Sequence, residues 1–166
     1  NCDWSSDVCS SDLAANSKTN KPLDFSSASN TLYVSGISDV VSESQRETFT
    51  LNLVSREALT NETARVGKKF KVDSTINTSV SEILSKYLKT TKIGTIDATK
   101  NGYGFIGNLR KPFTVLISLA SKAVSPETNM AGFLFYQTVD GFQFRSIDNL
   151  IMQPSKAEYV YTEVNQ

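Results

Sequence analysis

The stretch Phe133-Leu-Phe-Tyr-Gln-Thr-Val-Asp-Gly-Phe-Gln-Phe-Arg-Ser146 constrains this chain more than any other. Asp140-Gly141 is a type I′ turn signal, because both central residues of that turn need positive φ. With those two residues as the loop, Val139 faces Phe142, Gln137 faces Phe144 and Phe135 faces Ser146. Phe133, Phe135, Val139, Phe142 and Phe144 then share one face, an aromatic surface built for a core. Tyr136 lies opposite Arg145 on the other face, where the guanidinium can rest on the ring. A one-residue slip would bury Arg145, so the alternation specifies the register.

Two helices are legible upstream. Over residues 79–89, Val80, Ile83, Leu84, Tyr87 and Leu88 follow the i, i+3, i+4, i+7, i+8 spacing of a buried helical stripe. Ser79 and Glu82 read as a capping box, with Lys86 and Lys89 suited to the negative end of the dipole. A second helix starts at Pro112, which needs no amide donor at the first position. It carries Phe113, Leu116, Ile117, Ala120 and Val124, widened by Val115, Leu119 and Ala123, and Ser125-Pro126 stops it.

Strands fill the rest. Leu32-Tyr33-Val34 has strand character until Gly36 breaks it. Phe49, Leu51 and Leu53 alternate with Thr50, Asn52 and Val54, so this strand buries its apolar face. Ser55 then caps a short helix with Glu57 in its first turn and Ala58 and Leu59 on it. Short strands near 94–98 and 103–109 flank Asn101-Gly102, a favourable type I′ pair. A last strand runs through Tyr159, Val160 and Tyr161. The polar, Ser- and Asn-rich residues 15–31, with Pro22, read as an extended lead-in. The whole predicts an α+β fold with antiparallel pairing and two to three helices.

Residues 2–13, Cys-Asp-Trp-Ser-Ser-Asp-Val-Cys-Ser-Ser-Asp-Leu, resemble one reading frame of a common short-read sequencing adapter. A partial terminal codon beginning CT encodes Leu13 whatever base follows. No Met precedes the segment, and the natural polypeptide is then expected to begin near Ala14. The alternative is a secreted N-terminus with a Cys2–Cys9 disulfide formed in an oxidising compartment. Under the adapter reading Trp4 stays out of any core.

Cys2 and Cys9 are the only cysteines, and the 166 residues contain no histidine. Without the adapter-like segment, thiol nucleophiles, Cys/His zinc sites, the Ser-His-Asp triad and histidine acid–base chemistry are excluded. Carboxylates, lysines and hydroxyls remain. Removing residues 1–13 also removes Asp3, Asp7 and Asp12, leaving 153 residues with 17 basic and 14 acidic side chains, a net +3. That is too mild for a nucleic-acid binder, and Lys68-Lys69-Phe70-Lys71 reads as a solvated face. No apolar stretch approaches the ~20 residues that span a bilayer.

Motifs are sparse. Gly67-Lys68-Lys69 lacks the upstream glycine and following hydroxyl of a P-loop, and Gly102-Tyr-Gly104-Phe-Ile-Gly107 has the wrong spacing for a dinucleotide fingerprint. Asn61-Glu-Thr63 and Asn77-Thr-Ser79 fit the glycosylation triplet. Asp97, Asp140 and Asp148 flank strands, and two carboxylates can in principle serve a glycosidase as acid and base. The blander reading gives Asp140 to its turn and Asp148 to the end of its strand. No catalytic, cofactor-binding or metal-binding residue is assigned, and no cofactor is expected.

Three segments carry a family resemblance. They are Phe49-Thr-Leu-Asn-Leu-Val-Ser-Arg-Glu-Ala-Leu59 with Asn61-Glu and Arg65-Val-Gly-Lys-Lys-Phe70; Gly104-Phe-Ile-Gly-Asn-Leu-Arg-Lys-Pro-Phe113 leading into an apolar helix; and Phe133 through Ile147 with its Asp-Gly-Phe. Together they span roughly 49–150, and they resemble the baseplate hub protein of T4-like contractile phages, a relative of type VI secretion spike proteins. The resemblance implies a non-enzymatic virion protein, assembled in the host cytoplasm. It would be a homotrimer joining the tail tube to the cell-puncturing spike. This chain would hold a fragment: part of a tube-like β-barrel domain and the α/β elements after it. Competing classes are a carboxylate-dependent glycan or peptidoglycan hydrolase and a tail adhesin using Tyr33, Tyr136 or Tyr161.

Overall fold

The computed structural model describes residues 31–155, together with the backbone of 12–13 and 23–24. Cys2, Cys9, Trp4, most of the lead-in and the strand expected at Tyr159 to Tyr161 lie outside the described residues. The fold is α+β, with four helices and several small, largely antiparallel sheets, and no strand set closes into a barrel among the described residues. The chain divides between Ala64 and Arg65 into two compact units.

In the first unit, β1 (Asp12–Leu13) and β2 (Leu23–Asp24) form a two-residue antiparallel ladder. β3 (Leu32–Glu43) and β4 (Arg46–Ser55) form a long antiparallel ribbon, and α1 (Arg56–Thr63) follows. Gly36 does not end β3 as expected. Register shifts between Val34 and Gly36 and between Ser38 and Val41 absorb extra residues as bulges, which bend a strand without ending it. Asp39, at φ 52°, takes the left-handed conformation the second bulge needs. The apolar face of β4 is not buried either: Phe49 and Leu53 are 39% and 38% exposed. Ser55 holds the N-cap position with extended backbone, but its side chain makes no capping hydrogen bond.

The second unit has the core. It contains β5 (Lys69–Phe70), α2 (Ile76–Lys86), β6 (Ile93–Ile96), β7 (Phe105–Ile106), α3 (Pro112–Ala120), β8 (Phe133–Thr138), β9 (Gly141–Ser146) and α4 (Ile147–Ile151). β9 is the middle of a three-stranded sheet, antiparallel to β8 and parallel to β6. The parallel pair corrects the all-antiparallel expectation. A parallel connection needs a long crossover, and the chain between β6 and β9 supplies one that includes α3.

The aromatic hairpin forms, with its loop one residue earlier than expected. Val139 and Asp140 are the loop, and Thr138 pairs with Gly141. Each partner therefore moves by two residues: Phe135 faces Phe144, Gln137 faces Phe142, Tyr136 faces Gln143 and Leu134 faces Arg145. A two-residue shift keeps every side chain on its face. So Phe133, Phe142 and Phe144 are buried as expected, whereas Val139 is exposed in the turn. Gly141, at φ +121°, opens β9, where a Cβ would lie 2.5 Å from the Lys92 carbonyl oxygen. Phe113 at the start of α3 sits 5.8 Å from the Phe135 ring and 5.7 Å from that of Phe142.

α2 begins three residues earlier than expected, with Thr75 at its N-cap. Ser79 is therefore a buried residue inside the helix and cannot form a capping box, and Glu82 turns to lysines instead. Lys89 lies beyond the helix end at φ 52°. Ile76, Val80, Ile83 and Leu84 bury one stripe and Leu88 continues it. In α3, Pro112 takes the first turn as expected, and Val115, Leu116, Leu119 and Ala120 are buried. Ile117 is exposed, and the helix ends at Ala120, leaving Val124 to bridge Ala131.

Asn101-Gly102 is not a hairpin turn. Neither residue has positive φ, and β7 pairs with β5 instead of β6. The Asn101 amide donates to the Lys122 carbonyl at 2.8 Å and its oxygen accepts from the Val124 N–H at 3.0 Å. Gly102 bridges Thr75, where a Cβ would meet the Val72 carbonyl oxygen at 2.2 Å. α4 was not foreseen; Asp148 in its first turn suits the positive end of the dipole.

Asn101→Gly separates the two roles. A glycine costs little in a type I′ turn, but here it removes both hydrogen bonds and should lower stability by about 1–3 kcal/mol. Urea denaturation gives the answer, and an unchanged midpoint would mean the side chain holds nothing.

Candidate functional site

Pairing in the β3–β4 ribbon fixes which side chains share a face. Val34 lies opposite Leu53 and Ile37 opposite Leu51, and Phe49 follows Leu51 by the two-residue strand period. These five form one apolar face. Ser38, Thr50 and Asn52 lie on the other, where Ser38 pairs with Thr50 and Asn52 with Gly36. A two-stranded ribbon has no second layer of its own and is marginal in water. Val34 is 41% exposed and Ile37 58%. Among the described residues both outer edges of the ribbon also lack a strand partner. Exposed edges and a contiguous apolar face are what a partner covers. The tip is polar, with Glu43 opposite Arg46 and Ser42 donating to Glu47 at 3.3 Å.

The carboxylates singled out in the sequence have structural partners or lie far apart. Asp97 accepts from the Ser146 N–H at 2.9 Å and lies 3.7 Å from Arg145 Nε. Their side chains are 10% and 17% exposed. With its amide oxygen turned toward the guanidinium, Gln153 accepts from Arg145 Nη1 at 2.6 Å and Nη2 at 2.5 Å. Asp148 accepts from the Thr128 hydroxyl. Asp140 sits in the exposed hairpin turn. It precedes β9 and Asp148 follows it, so strand rise separates them by roughly 15–20 Å. Glycosidase pairs stand about 5–10 Å apart.

The other motifs resolve into packing. A Cβ on Gly104 would lie 2.5 Å from Val72 Cγ2 and one on Gly107 2.1 Å from the Val66 carbonyl oxygen, so these glycines permit close strand approach. Asn61 is buried in α1, and Asn77 in α2 accepts from the Thr99 hydroxyl at 3.1 Å; neither has the exposed loop setting a glycan needs. Tyr33 and Tyr136 are half-buried, opposite Val54 and Gln143. Among the described residues no cluster of three potential metal ligands occurs, and no helix is long and apolar enough to cross a membrane.

Glu82 is the clearest perturbed acid. Lys68 at 2.5 Å, then Lys86 at 2.9 Å, hold its carboxyl below the ordinary value of 4.5. The same contact raises Lys86.

No family model, curated protein or solved structure matches the chain.

Two predictions follow from these charges. Arg145→Met leaves the half-buried Asp97 without its counter-charge and should cost about 1–3 kcal/mol. Adding Asp97→Asn should recover part of that loss, because the neutral amide still accepts from Ser146; no recovery would sink the ion-pair account. The depressed Glu82 carboxyl gives stability that is present above its unfolded value of 4.5 and lost as pH falls through the lower folded value. The gap between wild type and Glu82→Gln should therefore be open at neutral pH and close in acid, read from thermal melts across that range.

Proposed function

We propose that this chain is part of a structural virion protein, a subunit of the baseplate central hub that links the tail tube of a contractile phage to its cell-puncturing spike. The observation that carries this reading is the β3–β4 ribbon, whose edges lack a strand partner among the described residues and whose apolar face leaves Val34, Ile37 and Leu53 exposed. A ring subunit has such edges because its neighbours complete them, and a closed ring leaves none exposed. The resemblance of the segments around Phe49, Gly104 and Phe133 supplies the identity of the ring. Partners are then two further copies of the hub, the tail-tube protein and the spike, and the location is the virion. The role calls on no cofactor and no catalytic residue.

The hydrolase alternative gains no support from Asp97 or Asp148, which are hydrogen-bonded within the fold, or from Asp140, alone in its turn. The adhesin alternative has no exposed tyrosine groove among the described residues.

The test is assembly. Light scattering on the hub protein carrying this segment should give a trimer, and Ile37→Asp with Phe49→Asp should reduce it to monomer without loss of secondary structure. A stable monomer that ignores its tube and spike partners, or a trimer indifferent to the two aspartates, would count decisively against this assignment of the ribbon.

A further inference from the structure

The second unit carries another exposed surface, of a different chemistry. Residues 65–75 run antiparallel to 102–110: Val66 bridges Arg110, Lys69 faces Ile106, Phe70 faces Phe105 and Thr75 bridges Gly102. The inner side of this ladder is closed. Phe70 is buried and stacks on Phe105 with ring centroids 4.4 Å apart, and Tyr103 lies 5.9 Å from Phe105. The outer side mixes cations with apolar groups. Ile106, Leu109 and Val72 are 57%, 68% and 70% exposed. Lys69, Lys71 and Arg110 are exposed beside them. Lys68 is the cation of this ladder whose ammonium Glu82 takes.

An open depression of about 410 Å³ lies between Lys69, Phe70, Lys71 and Val72 of one segment and Gly104, Phe105 and Ile106 of the other. Asp73 is the one carboxylate among its lining residues. The missing side chain at Gly104 keeps this depression open, since a Cβ there would reach Val72 Cγ2 at 2.5 Å. The chain as a whole has equal numbers of basic and acidic residues, so the excess of cations here is local.

We propose that this outer face docks an extended, acidic segment of a partner protein, with carboxylates at alternate positions and apolar side chains between them. Charge complementarity selects the acidic partner: Lys69 in β5 and Lys71 just beyond it are both exposed, and an extended chain presents every second side chain to one face. The exposed Ile106, Leu109 and Val72 select against nucleic acid, whose phosphates would leave them uncovered, and whose binders show a wider basic stripe. A peptide laid on this face is held through its side chains, carboxylates against Lys69 and Lys71 and apolar groups against Ile106 and Val72. The inference stands independently of the hub assignment.

The experiment uses the whole chain and fluorescence anisotropy. The probe is a labelled peptide of roughly ten residues alternating Glu and Leu, set against one alternating Glu and Ser. Competitors are a single-stranded DNA oligonucleotide and phosphatidylcholine vesicles containing about one-fifth phosphatidylserine. The Glu/Leu peptide should bind about tenfold more tightly than the Glu/Ser peptide, and K69E/K71E and I106S/L109S should each weaken it by at least about that factor. Binding should also fall as salt rises. Equal binding of the two peptides, binding unchanged in both variants, or tighter binding of DNA or vesicles than of the Glu/Leu peptide overturns the proposal. If a variant loses its fold, the comparison of the two peptides on the unaltered chain still decides.

Discussion

Strand β9 is the element on which the second unit depends. Its residues Phe142 and Phe144 are almost fully buried and meet aromatic rings from β8 and α3. Phe135 lies 5.7 Å from Phe142, Phe133 lies 5.1 Å from Phe144, and Phe113 brings α3 onto the same cluster. Burying one such ring stabilises a fold by about 1.5–3 kcal/mol, so this cluster outweighs any surface ion pair in the unit. The backbone of β9 is anchored on its other side by β6. Phe142 N–H donates to the Lys92 carbonyl at 2.9 Å, and Asp97 N–H donates to that of Phe144 at 2.8 Å. Gly141 makes the first of these possible, because any side chain there would collide with Lys92. Asp97 then closes the far end through the Ser146 amide and Arg145.

The first unit has no comparable centre. Its ribbon carries enough apolar residues to build half of a core, but supplies no opposing layer among the described residues. Two bulges increase its local twist. Twisted strands with a one-sided apolar face are stable when something packs on that face. Among the described residues, the buried apolar side chains are those of the second unit.

Legibility in the sequence followed the same division. Where a side chain's role is to fill a core, periodicity revealed it: Val80, Ile83, Leu84, Leu116, Phe133 and Phe144 are where their spacing placed them. Alternation around Phe49 was equally regular, but a period of two says only that a strand has two different faces, and cannot say whether the apolar one is covered by its own chain. Turn chemistry misled for a related reason. Asn101-Gly102 has the composition of a type I′ turn, yet Asn101 serves as a hydrogen-bond bridge and Gly102 as a spacer. Both uses depend on Val72, Lys122 and Val124, which are remote in sequence. The capping box at Ser79 failed because Thr75, four residues earlier, caps the helix by backbone position without a side-chain hydrogen bond that a motif would capture. The parallel β6–β9 pair was likewise hidden, since nothing local in Ile93 or Ile96 specifies the direction of a neighbour.

The polar side chains nearest the core have hydrogen-bond partners inside it. Asp97 and Asp148 accept hydrogen bonds from Ser146 and Thr128, Gln143 accepts from the Thr95 N–H at 2.7 Å, and Thr99 ties α2 to the segment beyond β6. What the described residues leave exposed is an apolar ribbon face in one unit and a cationic, apolar face in the other. The two differ in what would cover them. Apolar area alone, with open edges, suits a permanent neighbour whose strands continue the sheet. Cations interleaved with apolar groups suit a segment recognised by charge, which associates faster and is more sensitive to salt.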